Sequence, residues 1–354
     1  MSVLPTSKVF LQIGPFQITW YALCILTGAF IAYWLSQRTM KRWKYAAEIL
    51  EDYLFPMLLC GIIGARVYYV LFQWSYYSQY PSDIIAVWKG GLAIHGGLIA
   101  GVLFSYFYFK RRKISFLRMF DCIMPNVLIA QAIGRWGNFA NQEAFGNIVA
   151  ESYFDHFPSF IKKQMYINGA YRQPTFLYES ALNILGFFLI TMLYRKKWMK
   201  RQGDAGFAYM IWYGCVRFFV EGFRTDSLML GPLKIAQVIS LAAILFGILG
   251  MLGIWHKVFH WYKKPIILCE KEMDINMTVD GKASTTEEIL DFCKEKGRDN
   301  VVYLTETEQG VQRAKELALY SISTNPDLHA CQTVTEYTHT IFDQPRTWND
   351  LKIW

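Results

Sequence analysis

A chain of 354 residues that is 53% hydrophobic and 17% aromatic carries too much apolar side chain for an ordinary soluble protein. Its formal net charge of +8 is unevenly divided. From Pro265 onward there are nine Lys/Arg against sixteen Asp/Glu, a net of −7, which leaves about +15 on the residues before it.

Apolar runs of roughly 20 residues, the length that crosses a bilayer core, occupy about 18–36, 50–72, 92–109, 119–138, 175–194, 204–223 and 234–255. They predict an all-α polytopic membrane protein with about seven transmembrane helices. No basic n-region and no small-residue cleavage site precede the first run, so it is expected to remain in the mature protein. Arg38, Lys41, Arg42 and Lys44 follow the first run, and Lys110, Arg111, Arg112 and Lys113 follow the third. Arg195, Lys196, Lys197, Lys200 and Arg201 follow the fifth, and Lys257, Lys263 and Lys264 the seventh. The intervening loops are poorer in Lys and Arg, so the N-terminus is predicted outside and the C-terminus in the cytoplasm. The loop at about 139–173 is then an outer one, expected to form a head over whatever lies beneath it.

Residues 1–264 are read as the membrane domain and residues 265–354 as an acidic cytoplasmic extension. The extension is expected to be a small α+β appendage. It reads as a strand at Pro265–Glu270, a helix at Thr285–Lys296 with Ser284 as N-cap, a strand at Asn300–Leu304 and a helix at Gln309–Tyr320, then an irregular end. It contains no phosphate-binding glycine loop, no metal-ligand spacing and no nucleophile elbow. None of the seven cysteines falls in an outer loop and none forms a CxxC pair, so no disulfide, metal or redox role is predicted.

Polar residues inside the runs are informative because arginine within a span costs several kcal/mol unless compensated. At about 1.5 Å per residue, Arg66, Arg135 and Arg217 lie roughly 22, 24 and 18 Å from the inner edges of their spans. Tyr21 and His95 begin helices at the same level. One outer layer therefore receives Tyr21, Arg66, His95, Arg135 with Asn138, Glu143, Arg217 with Glu221, and Arg224. Several have plainer readings. Arg217 and Glu221 can neutralise each other at i, i+4. Arg66 can tie loops together, Tyr21 can belong to an interfacial aromatic belt, and His95 can be a satisfied helix-start histidine. Arg135 and Asn138, three apart, point two polar heads the same way, which packing explains least well. A cationic, outward-facing pocket suits a phosphate, since guanidinium pairs with phosphate oxygens in a forked manner; an anionic phospholipid is the expected ligand. If that phosphate departs in a reaction, the arginines would stabilise its charge while His95 or Tyr21 takes a proton from the nucleophile.

The thirteen residues GRWGNFANQEAFG from Gly134 to Gly146 match in full the pattern G-R-x-G/A-N-F-x-N-x-E-x-x-G. In order along the chain come His95-Gly96-Gly97, then Gln173-Pro174-Thr175-Phe176-Leu177-Tyr178-Glu179, then Tyr213-Gly214-Cys215-Val216-Arg217-Phe218 with Glu221 and Arg224. Over about residues 10–260 the chain closely resembles the bacterial prolipoprotein diacylglyceryl transferase family. The resemblance implies transfer of the diacylglyceryl group of phosphatidylglycerol to the lipobox cysteine thiol of a prolipoprotein signal peptide, giving a thioether and glycerol phosphate. It implies that Arg135 and Arg217 hold the phosphate, that Asn138 and Glu143 order the headgroup, that Tyr21 and Tyr213 line the site, and that His95 is the candidate base. Gly146, Arg66, Glu221 and Arg224 complete the expected substrate-binding set. No metal, organic cofactor or nucleic acid is expected. The implied setting is the bacterial cell membrane, with the active site facing the outer leaflet. Two residues depart from the family's usual pattern, Ala100 after the HGG segment and Phe176 where glutamine is common; the extension after 264 lies beyond the family altogether, and its open roles are to bind a cytoplasmic partner or a second messenger, or to stabilise the protein. The alternative class, a transporter or flippase of an anionic lipid, predicts polar residues through the inner half or inverted repeats, and neither is evident.

Overall fold

In the computed structural model, residues 8–13, 16–46, 48–196, 198–199, 201–225, 229–230, 233–258, 265–271, 273, 275 and 277–337 are described. Lys197, Lys200, Lys263, Lys264 and the irregular end expected beyond 337 lie outside the described residues. An antiparallel hairpin of β1 (Val9–Ile13) and β2 (Phe16–Thr19) leads into α1 (Trp20–Arg42). The Thr19 hydroxyl accepts the Ala22 N–H at 3.1 Å and so caps a helix end whose first amides have no internal partner. There follow α2 (Glu48–Phe72), the single turn α3 (Trp74–Tyr77), α4 (Ile94–Arg111) and α5 (Phe116–Asn141). After a short β segment come α7 (Thr175–Arg195), α8 (Asp204–Phe223), α9 (Ile235–Met251) and the short α10 (Ile254–Val258); between α8 and α9 lies the hairpin β6 (Met229–Leu230) and β7 (Leu233–Lys234).

The seven expected runs thus coincide with α1, α2, α4, α5, α7, α8 and α9. Of these, α2, α5 and α7 are both long and apolar enough to cross a membrane, while α9 is apolar but 17 residues long. Half of the apolar stretch of α5 is buried inside the protein against 17% of that of α2, which makes α5 the central helix. It packs on α1, α7 and α8, whereas α2 pairs with α4, and α8 with α9. Helices approach this closely only where side chains are small. A Cβ on Gly64 would stand 2.2 Å from the Ala100 methyl and 2.7 Å from the Gly96 carbonyl oxygen, so α2 and α4 meet almost backbone to backbone. Ala100 is therefore a packing residue of that contact.

Residues 139–173 carry a small sheet and a short helix between α5 and α7. The antiparallel sheet has the order β3 (Ile148–Val149), β5 (Ala170–Arg172), β4 (Tyr166–Ile167), flanked by α6 (Ser159–Gln164). Phe139, Phe154, Ile161, Met165, Ile167 and Phe176 form the core of this segment, which joins it to the last turn of α5 and the first of α7. The Gln142 and Gln164 side chains tie the two parts further, donating to the Gln164 and Phe139 carbonyls at 2.8 and 3.1 Å.

The extension differs from the expected α+β arrangement. It comprises β8 (Ile266–Cys269), β9 (Gly281–Lys282), α11 (Thr286–Lys296), β10 (Val301–Leu304), α12 (Glu308–Glu316), β11 (Tyr320–Ser323) and β12 (Gln332–Thr333). The strands form one parallel sheet in the order β12-β11-β10-β8-β9. Helical crossovers are what joins parallel strands, so the strand-helix-strand-helix order was a better guide than the class assigned to it. The helix expected to reach Tyr320 stops at Glu316, because Ala318 takes φ 53° and turns the chain, and Tyr320 opens a fully buried strand. The N-cap of α11 is Thr285 and not Ser284. The Thr285 hydroxyl accepts the Glu288 N–H at 3.3 Å and the Glu288 carboxylate accepts the Thr285 N–H at 3.3 Å, a reciprocal capping box.

Glu288 also pairs with Lys271, and these contacts lower its carboxyl from 4.5 to about 2. A depressed folded-state pKa stabilises above the unfolded value and loses that contribution as pH falls toward the folded one. Melting of the extension should therefore become easier as pH drops from about 4.5 to about 2. Glu288→Gln should flatten that dependence in thermal melts of the full chain followed by circular dichroism; an unchanged slope would show the pairing is inert.

The extension is fastened to the bundle through the turn between α11 and β10. Asp299 is 6% exposed; its carboxylate accepts the Ser115 N–H at 2.9 Å and the Tyr45 hydroxyl, and lies 3.5 Å from the Arg118 guanidinium. Arg298 donates to the Lys44 and Trp43 carbonyls at 2.8 and 3.0 Å, with its guanidinium 4.0 Å from the Tyr45 ring centre. Ser115 is the N-cap of α5, so the extension places a carboxylate at the positive end of the central helix.

Candidate active site

The polar motif closes the far end of α5. There Gln142 and Ala144 adopt φ 54° and 57°, reversing the chain and folding Glu143 back over the last helical turn. The Glu143 carboxylate accepts the Asn138 and Asn141 amides at 2.9 and 3.4 Å. Gly146 donates its N–H to the Gln173 carbonyl at 3.0 Å and forms a backbone bridge with Arg224. A Cβ at Gly146 would lie 2.8 Å from the Gln173 Cβ, so the close approach of the ends of α5, α7 and α8 depends on that glycine.

Charges alternate across this junction. Arg135 Nη2 lies 2.7 Å from Glu179 Oε1, and Arg217 Nη1 lies 3.6 Å from Glu179 Oε2. Arg217 Nη2 is 2.6 Å from Glu221 Oε2, which Arg224 Nη1 approaches to 3.7 Å. Three guanidiniums and two carboxylates form one chain, but they are not equally accessible. The side chains of Glu179 and Glu221 are 2% exposed, whereas those of Arg135, Arg217 and Arg224 keep 19, 17 and 15%. The acids lie deeper than the guanidiniums, so the polar surface that remains here is mainly cationic. Arg135 also donates to Asn138 Oδ1 at 3.2 Å, while Arg217 Nη1 has no well-aligned acceptor among the described residues. A buried donor without an acceptor costs about 1–3 kcal/mol, which an anionic ligand oxygen removes.

Aromatic residues wall the site. Tyr213, one turn before Arg217 on α8, interacts electrostatically with Arg135, and its ring stacks on Tyr209 at 5.9 Å. Phe176 stacks on Phe139 at 4.4 Å and meets Trp136 edge-on at 5.3 Å, so this departure from the family pattern serves the packing of the segment between α5 and α7. A Cβ on Gly137 would lie 2.9 Å from the Tyr21 ring, which puts Tyr21 against the turn carrying Arg135 and Asn138. A crevice between Arg135, Asn138, Thr175, Glu179, Val220 and Arg224 is too narrow for a water-sized sphere, so a headgroup must part these side chains to enter.

The structure thus assembles Arg135, Asn138, Glu143, Gly146, Tyr213, Arg217, Glu221, Arg224 and Tyr21. It does not bring in Arg66 or His95. Arg66 is 6% exposed and donates to the carbonyls of Asp83, Ile84, Gly90 and Gly91 at 2.6 to 2.8 Å, so it ties down the loop between α3 and α4. The expectation that it binds substrate gives way to that role, because five carbonyls, Ala86 included at 3.4 Å, already engage its donors. His95 is exposed near the start of α4, its ring 6.3 Å from that of Tyr68, with no hydrogen bond to the arginine chain among the described residues. Glu179 carried no role in the sequence reading although it closes the Pro174 to Glu179 segment. Its signal was a carboxylate inside an apolar run. No His, Cys, Asp or Glu cluster among the described residues is arranged to hold a metal ion.

Residues 8–253 match the family described as prolipoprotein diacylglyceryl transferase. A phosphatidylglycerol--prolipoprotein diacylglyceryl transferase of Streptococcus uberis is 49% identical over 242 residues, 68% of this chain and 92% of that protein. Proteins of the same name from Lactococcus lactis subsp. cremoris and Bacillus cereus are 48% and 47% identical, each covering 70% of this chain and 94% and 92% of their own lengths. With the motif, the helices that carry it and these relatives in agreement, the chain belongs to the prolipoprotein diacylglyceryl transferase family.

Proposed function

We propose that this protein transfers the diacylglyceryl group of phosphatidylglycerol to the lipobox cysteine of a prolipoprotein, the first step of lipoprotein maturation in a bacterial cell membrane. The observation that carries the reading is the pair Arg135 and Arg217 astride the buried Glu179, both more exposed than that acid, at the headgroup end of the helices. The guanidiniums grip the phosphate and stabilise charge that grows on it. The thiolate sulfur attacks the glycerol CH2 joined to the phosphate oxygen; the carbon–sulfur bond forms, the carbon–oxygen bond breaks, and its electron pair leaves on glycerol phosphate. A thiol of pKa about 8.5 must first lose its proton. The basic residues that follow α1, α4 and α7 support a reading with seven crossings, this site toward the outer leaflet and residues 265–354 in the cytoplasm. The test is incubation of reconstituted protein with phosphatidylglycerol and a lipobox peptide; a mass gain of one diacylglyceryl group is expected, and none from active-quality protein would overturn the reading.

His95 is the base of this proposal. Its ring is exposed where α4 begins, outside the arginine chain, so as base it would take the thiol's proton before the sulfur reaches the phosphate-bearing carbon. His95→Gln should lower turnover at pH 7 and recover part of it as pH rises toward the thiol's own pKa of about 8.5. A loss that is equal at every pH would remove His95 as base. The extension lies at the opposite end, and deletion of residues 265–354 should leave turnover within about twofold while lowering the melting temperature, since Arg118 loses Asp299. Loss of transfer in a folded truncation would make the extension part of the machinery.

A further inference from the structure

We infer that the protein has a second anionic-lipid site at the opposite end of the bundle, between α1, α5 and α7, which takes the phosphate of an inner-leaflet phospholipid. Both α1 and α7 pack on α5, and the groove between them holds a cavity of about 160 Å³. Arg38 and Arg42 line it from α1 and Arg195 from α7, with Leu35, Phe187 and Ile190 as its apolar walls. The Arg38 guanidinium is held 3.6 Å from the Trp34 ring centre. None of the three arginines has a carboxylate partner among the described residues, unlike Arg135, Arg217 and Arg224.

Asp121 also lines the cavity, but its carboxylate is engaged by the Gly203 and Gly206 amides at 2.7 and 3.0 Å, where it caps the start of α8. One occupied carboxylate against three unpaired guanidiniums leaves the cavity cationic. Basic pockets between helices on the cytoplasmic side are suited to anionic headgroups. The occupant is a lipid more than a soluble anion because the same two helices carry Trp34, Phe188 and Met192 at 44, 63 and 43% exposure, apolar surface on which acyl chains can lie. The inference rests on the proposed inside placement of this end and is independent of the transfer reaction.

The test uses the full-length protein with Arg135→Gln, which weakens the first site, stripped of lipid in detergent and reloaded from vesicles of phosphatidylglycerol or phosphatidylcholine. Native mass spectrometry should find one retained phosphatidylglycerol and no retained phosphatidylcholine. Adding Arg38→Gln, Arg42→Gln and Arg195→Gln together should cut that retention at least tenfold. Arg38→Gln and Arg195→Gln singly, each expected to cut it several-fold, give the readout if the triple variant does not fold. Undiminished retention in folded variants, or equal retention of phosphatidylcholine, overturns the site. Stabilisation by inorganic phosphate equal to that by phosphatidylglycerol overturns the lipid as its occupant. In an otherwise native protein the three substitutions should leave glycerol phosphate release unchanged, which separates this site from the transferase site.

Discussion

Arg135→Ala should lower the release of glycerol phosphate from phosphatidylglycerol at least a hundredfold, a barrier increase of about 2.7 kcal/mol. Three contacts make the expected loss this large. The guanidinium is anchored to Glu179 at 2.7 Å, orients Asn138 at 3.2 Å and lies beside Tyr213, so its position is fixed before substrate binds. Arg135→Lys should recover little, because an ammonium cannot serve Glu179 and a phosphate as a fork does. If the loss lies in kcat with KM nearly unchanged, Arg135 acts on the departing phosphate; a rise in KM alone would make it a binding residue only. Turnover within threefold of the native protein would exclude it from the reaction.

How legible this site was depends on what each residue does. Arg135, Asn138 and Arg217 were readable because a cation or amide within an apolar run has no inexpensive structural explanation, and helical rise sets its depth. The same arithmetic failed for Arg66. Depth along a helix says nothing about which way the side chain turns, and the carbonyls of the loop between α3 and α4 drew it aside. Glu179 escaped because its meaning is relational: it matters as the carboxylate between two arginines that lie 44 residues before and 38 residues after it. In the extension, Val301–Leu304 was readable as a continuous apolar strand, whereas Tyr320–Ser323 alternates with serine and only the parallel sheet around it supplies the burial. The clamp made by Asp299 had no local signal, since its partners Tyr45, Ser115 and Arg118 belong to the membrane part.

Glu179→Gln should be the most destabilising single change at the site. The side chain is 2% exposed and its two carboxylate oxygens lie 2.7 and 3.6 Å from Arg135 and Arg217. A neutral amide of the same shape leaves those guanidiniums facing each other across a buried gap, with Glu221 the remaining acid for Arg217. Removing one partner from a buried ionic group costs about 3–5 kcal/mol, because the other charge stays desolvated. The melting temperature in neutral detergent should fall by several degrees. The same excess positive charge should draw an anionic headgroup more strongly, so phosphatidylglycerol vesicles should restore more stability to the variant than to the native protein. Turnover should still fall, since a phosphate that compensates for Glu179 is held between the arginines when it ought to leave. Equal stabilisation of both proteins by phosphatidylglycerol would mean that the arginines do not face the lipid phosphate, and would count against the site as built here.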